Sequence, residues 1–82
     1  MVKKLLGTVS HYYARINVAV IDLVEDMRVG DRISIEGPST DVHQTVNSMQ
    51  IDKENVKTVK GGNQVGLRVE GTVKVGDNVY LD

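Results

Sequence analysis

The side chains best suited to chemistry stand together at His11-Tyr12-Tyr13-Ala14-Arg15. Phenol rings, an imidazole and a guanidinium in one short stretch can stack on unpaired bases or fill a recognition pocket on a protein. A plainer reading stands beside this one: Tyr12 or Tyr13 caps one end of a core that has no Phe and no Trp. A second group is basic, made of Lys53, Lys57 and Lys60, with Lys74 further along. Ammonium groups so placed can meet phosphate. Asp52 and Glu54 sit among them, which also describes an ordinary mixed-charge surface. His11, Tyr12, Tyr13, Arg15, Lys53, Lys57 and Lys60 form the candidate binding set.

Other chemistries fail on residue type or spacing. Disulfides and thiolate metal sites need cysteine, and the chain has none. His11 and His43 lie far apart, with no carboxylate at a supporting spacing, so they read as surface histidines and no metal is expected. Gly61-Gly62-Asn63-Gln64-Val65-Gly66 has the frame of a phosphate loop. Such a loop needs Lys-Ser or Lys-Thr directly after its last glycine, and Leu67-Arg68 follow instead. The segment reads as a hairpin turn, and no nucleotide or cofactor is expected. Ser10, Ser34, Ser39 and Ser48 lack a neighbouring base and a G-x-S-x-G elbow. Glu25, Asp26 and Asp31 read as solvated turn charges. The expectation is a binding protein with no catalytic residues, not an enzyme.

Whatever binds must be positioned by strands. Ile33 and Ile35 alternate with polar neighbours, as do Val65, Leu67 and Val69, and Val79 and Leu81. A period of two is the pattern of a half-buried strand. Ile16, Val18 and Val20 alternate with Asn17 and Ala19, which assigns the even positions to the buried face. Weaker strand patterns cover residues 5–12, 42–51 and 56–60, and residues 22–27 allow one helical turn. Turn formers separate the runs at Gly30-Asp31, Gly37-Pro38-Ser39, Asp52-Lys53-Glu54-Asn55, Gly61-Gly62-Asn63 and Gly76-Asp77. About seven short strands at this spacing predict a sandwich or barrel. Met27-Arg28-Val29-Gly30-Asp31-Arg32-Ile33-Ser34-Ile35 is echoed by Val73-Lys74-Val75-Gly76-Asp77-Asn78-Val79-Tyr80-Leu81. The echo reads as one turn, used twice to launch a strand.

The 82 residues make one domain, 1–82, with a thin core of Val, Ile, Leu and Met. Net charge is −1, whereas a domain that grips nucleic acid unaided is usually strongly basic. The run Met1-Val2-Lys3-Lys4-Leu5-Leu6-Gly7 is too short for the roughly 7–15 apolar residues of a signal peptide. Nothing approaches the roughly 20 apolar residues of a membrane helix. The expected setting is the cytoplasm, without membrane contact.

Gly7-Thr8-Val9, then Val18-Ala19-Val20-Ile21, then Val29-Gly30-Asp31 with Ile33 and Ile35, resembles the second domain of translational GTPases such as elongation factor Tu. The stretch from Val46 to Val56, followed by Gly61 to Leu67, is similar to the C-terminal barrel of bacterial initiation factor, and Val75-Gly76-Asp77-Asn78-Val79-Tyr80 resembles its closing strand. The resemblance implies an all-β fold, a small closed six-stranded Greek-key barrel. It implies a free-standing elongation-factor-like protein, or the barrel appended to some collagenase-like peptidases that act in RNA modification. Ser10-His11-Tyr12-Tyr13-Ala14-Arg15-Ile16-Asn17 departs from the family's tRNA-serving segment, and the GTPase domain is missing. The implied function is a non-catalytic module contacting tRNA, rRNA or a ribosome or RNA-modification complex. The alternative is a protein–protein adaptor barrel for a larger enzyme or factor, with no direct RNA contact. The sequence leaves the oligomeric state open, since unpaired sheet edges can pair between copies.

Overall fold

Strand by strand, the apolar alternation and the turn formers lay out the chain. A computed structural model describes residues 3–82; Met1 and Val2, which begin the N-terminal run considered above, lie outside the described residues. The strands are β1 (Lys4–Tyr13), β2 (Val18–Leu23), β3 (Met27–Arg28), β4 (Arg32–Gly37), β5 (Thr40–Thr45), β6 (Met49–Ile51), β7 (Glu54–Val56), β8 (Thr58–Val59), β9 (Gln64–Arg68) and β10 (Asn78–Leu81). Eight of them form one antiparallel sheet in the order β5-β4-β10-β1-β2-β9-β6-β7, and β3 pairs with β8 in a small second sheet.

The all-β class holds. The closed six-stranded barrel does not, because β5 and β7 are the two ends of the large sheet and no strand pairing joins them. The physical reason lies at Val46-Asn47-Ser48. The run 42–51 is not one strand: it leaves the sheet there and re-enters as β6 beside β9. Residues 22–27 hold no helical turn; they finish β2, bend, and enter β3. At Asp52 and Lys53 two successive residues take positive φ, 50° and 68°, the tight hairpin geometry that joins β6 to β7.

One core serves both sheets. Ile21, Met27, Ile33, Ile35, Leu67 and Val79 are fully buried within it. Val65, Leu67 and Val69 all point inward, as their alternation predicts. The Ile16-Val18-Val20 stripe does the opposite of its expectation. Ala19, Ile21 and Leu23 are the buried residues of β2, Val18 and Val20 are half-buried, and Ile16 is 61% exposed. Both faces of β2 are apolar, so period-two reading cannot choose between them. The choice falls to register: Ala19 pairs with Leu67 and Ile21 with Val65, which already face inward. Ile16 and Asn17 belong to the turn before β2, with Asn17 at φ 53°.

The sequence echo proves to be structural. In each copy the Asp carboxylate accepts the N–H three residues earlier, Arg28 for Asp31 (3.0 Å) and Lys74 for Asp77 (2.8 Å). Gly30 and Gly76 sit at φ 100° and 95°, where a side chain is strained. The N–H of Gly30 donates to Val46 and that of Gly76 to Val9. Val46 and Val9 donate back to Asp31 and Asp77. The two launched strands then pair with each other, Ile33 with Leu81 and Ile35 with Val79. The copies are therefore related by a local two-fold axis through the Ser34–Tyr80 pair. Flanking strands β5 and β1 complete a four-stranded unit about that axis.

Candidate functional site

His11, Tyr12 and Tyr13 end β1, and Arg15 lies in the turn that leads to β2. A register shift between Val9 and His11 resets the alternation, so His11 and Tyr13 face outward and Tyr12 turns toward the core. The His11 and Tyr13 rings stack with centroids 6.4 Å apart and planes 26° from parallel. Tyr13 is 53% exposed. Tyr12 is half-buried opposite Ala19, and its hydroxyl reaches the Asn17 side-chain oxygen at 3.5 Å. The two tyrosines thus have different jobs: one fills core space left by a small residue, the other is presented outward.

The lysines do not join this cluster. Lys53 sits in the β6–β7 turn, Lys57 between β7 and β8, and Lys60 just after β8. All three are exposed. The turn after Lys60 is tied to the far end of β2 through the Gly62 N–H and the Leu23 carbonyl. The tyrosine hairpin is at the other end of β2, about 17 Å away at strand rise.

What the sequence reading missed is the outer face that continues from the rings. Tyr13 pairs with Val18, which pairs with Arg68. His11 pairs with Val20, then Gly66, then Gln50. Side chains directly opposite on neighbouring strands lie about 5 Å apart, so these rows are continuous surface. A groove of about 230 Å³ runs across them, lined by Ile16, Val18, Ser48, Gln50, Gly66 and Arg68. Gly66 leaves bare backbone at its floor. The signal in the sequence is the apolar stripe 16-18-20, whose alternation alone points to the core. A second concavity, of about 310 Å³, lies under Val29, Met49, Val56 and Lys57.

Elsewhere, β4, β5 and β10 carry a polar network. The Lys3 ammonium is paired with Glu36, and it lies 3.3 Å from the Ser34 hydroxyl and 3.5 Å from Asp82. The Ser34 hydroxyl donates to Glu36 (2.9 Å). His43 faces Asp41 (2.8 Å) and Asp82 (3.3 Å) through its two ring nitrogens. Ser34 lies opposite His43 in the sheet, yet both imidazole nitrogens are turned to carboxylates and none is aimed at the hydroxyl. The arrangement is an ion network, without the nucleophile–base bond that acyl transfer requires. Among the described residues no group of three metal-ligating side chains converges.

The network gives a pH dependence. Hydrogen bonds from Lys3 and then Ser34 hold the Glu36 carboxyl below the usual carboxylate range, and His43 and then Lys3 do the same for Asp82. A carboxyl whose folded value is depressed adds stability above its unfolded value and loses it as pH falls through the folded one. The chain is therefore expected to lose stability on acidification below about pH 4, where carboxylates protonate. Urea midpoints measured across that range should fall less in the Glu36→Gln variant than in the unmodified chain. Equal slopes would show that the network is energetically silent.

No family model matches the chain. The Methanocaldococcus jannaschii protein named "Uncharacterized protease MJ0090" is 40% identical over 77 residues, which is 93% of this chain and 19% of that protein. The chain thus spans about a fifth of the length of the relative it matches. Among solved structures, the C-terminal domain of a Geobacillus thermoleovorans protein named as a U32 peptidase superposes with TM-score 0.89 at 15% identity, covering 96% of this chain and 92% of that one. Its selenomethionine form gives 0.88 at 15% identity, covering 94% and 98%. At that identity the likeness is one of fold. These matches overturn the likeness to translation factors, and the RNA-binding function it implied goes with it. Gly-Thr-Val and Val-Gly-Asp encode strand and turn geometry, as the paired Asp31 and Asp77 turns show, and that geometry is indifferent to function. What the comparisons show is likeness, over nearly the whole length of this chain, to a small part of a protein named as a protease.

Proposed function

We propose that this chain serves as the non-catalytic C-terminal-type domain of a U32-like peptidase and acts as a protein–protein adaptor for the catalytic part. The observation that carries the reading is the match of 93% of the chain to only 19% of a protease. A segment of that size adds a folded unit to a large enzyme without supplying its machinery. The side chains agree with this. Ser34 and His43 are engaged by carboxylates and lysine rather than by each other, and His11 stacks on Tyr13. Such a domain works by holding, shielding or orienting the remainder of the enzyme.

The test uses the M. jannaschii protease with its matching 77-residue segment deleted. The chain, added in trans, is expected to co-elute with the truncated protein in gel filtration and to raise its melting temperature. By itself the chain should cleave neither casein nor short peptides. Hydrolysis by the isolated chain, or absence of any complex, would overturn the reading.

A further inference from the structure

We infer that the groove face of β2, β9 and β6, bordered by the His11–Tyr13 ring pair, is the surface that docks this domain onto the catalytic part of the peptidase-like protein, and that it takes an acidic segment carrying apolar side chains. The inference rests on the adaptor reading and names the site through which it operates.

Three observations meet here. First, the face is apolar where a solvated sheet face should be polar. Ile16 is 61% exposed, Tyr13 53%, and Val18 and Val20 are half-buried on the outer side of β2. Water-facing strand positions normally alternate to polar residues. Second, the face is concave. Gly66 leaves the floor of the groove open between Val18 and Gln50, so an incoming side chain meets bare backbone there. Third, the charged side chains nearest the groove are arginines without a carboxylate partner. Arg68 lines the groove and Arg15 neighbours Ile16; both are exposed. Among the described residues the ion pairs involve Lys3, Lys4 and His43, and neither arginine takes part. Asp22, the carboxylate of β2, lies at the far end and accepts a 2.7 Å hydrogen bond from Gln64. Exposed guanidinium groups beside apolar anchors select a partner with carboxylates beside apolar side chains.

A nucleic acid would also meet arginine and tyrosine. Here, however, Arg68 lines the groove with Ile16 and Val18 rather than with a series of stacking rings, and the chain's net charge is −1. Phosphate binding draws on many cations, and this face offers few.

The experiment measures binding of the unmodified chain, Ile16→Asp, Arg68→Glu and Val75→Asp to the truncated M. jannaschii protease. Val75 is 65% exposed and outside the face, so its variant is the control. Hydrogen exchange of the complex supplies the second readout. Ile16→Asp and Arg68→Glu are each expected to weaken binding by about tenfold or more. Val75→Asp should bind like the unmodified chain, and amides of β2 and β9 should gain protection beyond that of the free chain. Binding that survives both face variants, or protection confined to β4 and β5, would overturn this face while leaving the adaptor reading intact. No binding by the unmodified chain would overturn both. Salt-sensitive binding of tRNA that Arg68→Glu abolishes would also overturn the protein-docking assignment.

Discussion

Replacing Gln44 with alanine is expected to lower the unfolding free energy by about 3 kcal/mol. Gln44 is 2% exposed on β5, at one end of the large sheet. Its amide donates to the Arg68 carbonyl (3.0 Å) and accepts from the Glu70 N–H (2.8 Å). Arg68 ends β9, which lies on the other side of β1 and β2. One side chain therefore clasps two distant parts of a sheet that no ladder closes. Alanine would leave a carbonyl and an N–H without their partner, each costing about 1–3 kcal/mol when buried. For a domain of this size that is a large share of a total of roughly 4–12 kcal/mol. The melting temperature should fall by roughly 10–20 °C. Gln44→Met, which keeps the volume and removes the bonds, should be nearly as damaging. Urea unfolding of both variants checks this; a loss below about 1 kcal/mol would show that water or another group replaces the clasp.

Gly7→Ala is expected to cost about as much, by a different route. Gly7 is the point where β1 pairs with Leu23 of β2 on one side and Val79 of β10 on the other. A Cβ built there would lie 2.4 Å from the Asp22 carbonyl oxygen and 2.9 Å from the Ile21 Cγ2. The nearer atom is backbone in a paired strand, which cannot rotate away. Either β1 or β2 must shift, in the middle of the sheet that carries both the core and the groove face. Overpacking of this kind costs about 1–3 kcal/mol, and more where backbone must move. Circular dichroism melts should show the loss, while Gly66→Ala provides the contrast. There a Cβ meets its neighbours at 3.5 and 3.6 Å, an ordinary contact, so the fold should hold while the groove fills. Equal melting of Gly7→Ala and the unmodified chain would refute the close-approach argument.

These effects depend on contacts that no linear pattern announces. The all-β class is legible in the linear pattern. Its alternations at Ile33-Ile35, Val65-Leu67-Val69 and Val79, and its turns at Gly30, Gly62 and Gly76, are local, because strand period and positive φ are local properties. It also disclosed the repeated Val-Gly-Asp turn. It could not disclose that the two copies face each other across a two-fold axis, since pairing joins residues far apart in the chain.

Nor could it orient β2, whose two faces are both apolar. Which stripe is buried was decided by register against β9, and that decision turned the Ile16-Val18-Val20 stripe from core into surface. Closure followed the same rule. The sequence motifs implied a closed barrel, but whether sheet ends meet depends on where the chain leaves the sheet at Val46-Asn47-Ser48, and here the distant segments are joined by the Gln44 amide instead of a ladder. The candidate rings were legible as residue types. Their division into an inward Tyr12 and an outward His11–Tyr13 pair required the register shift in β1, a feature of tertiary geometry that resets the period of two and leaves no mark in the sequence.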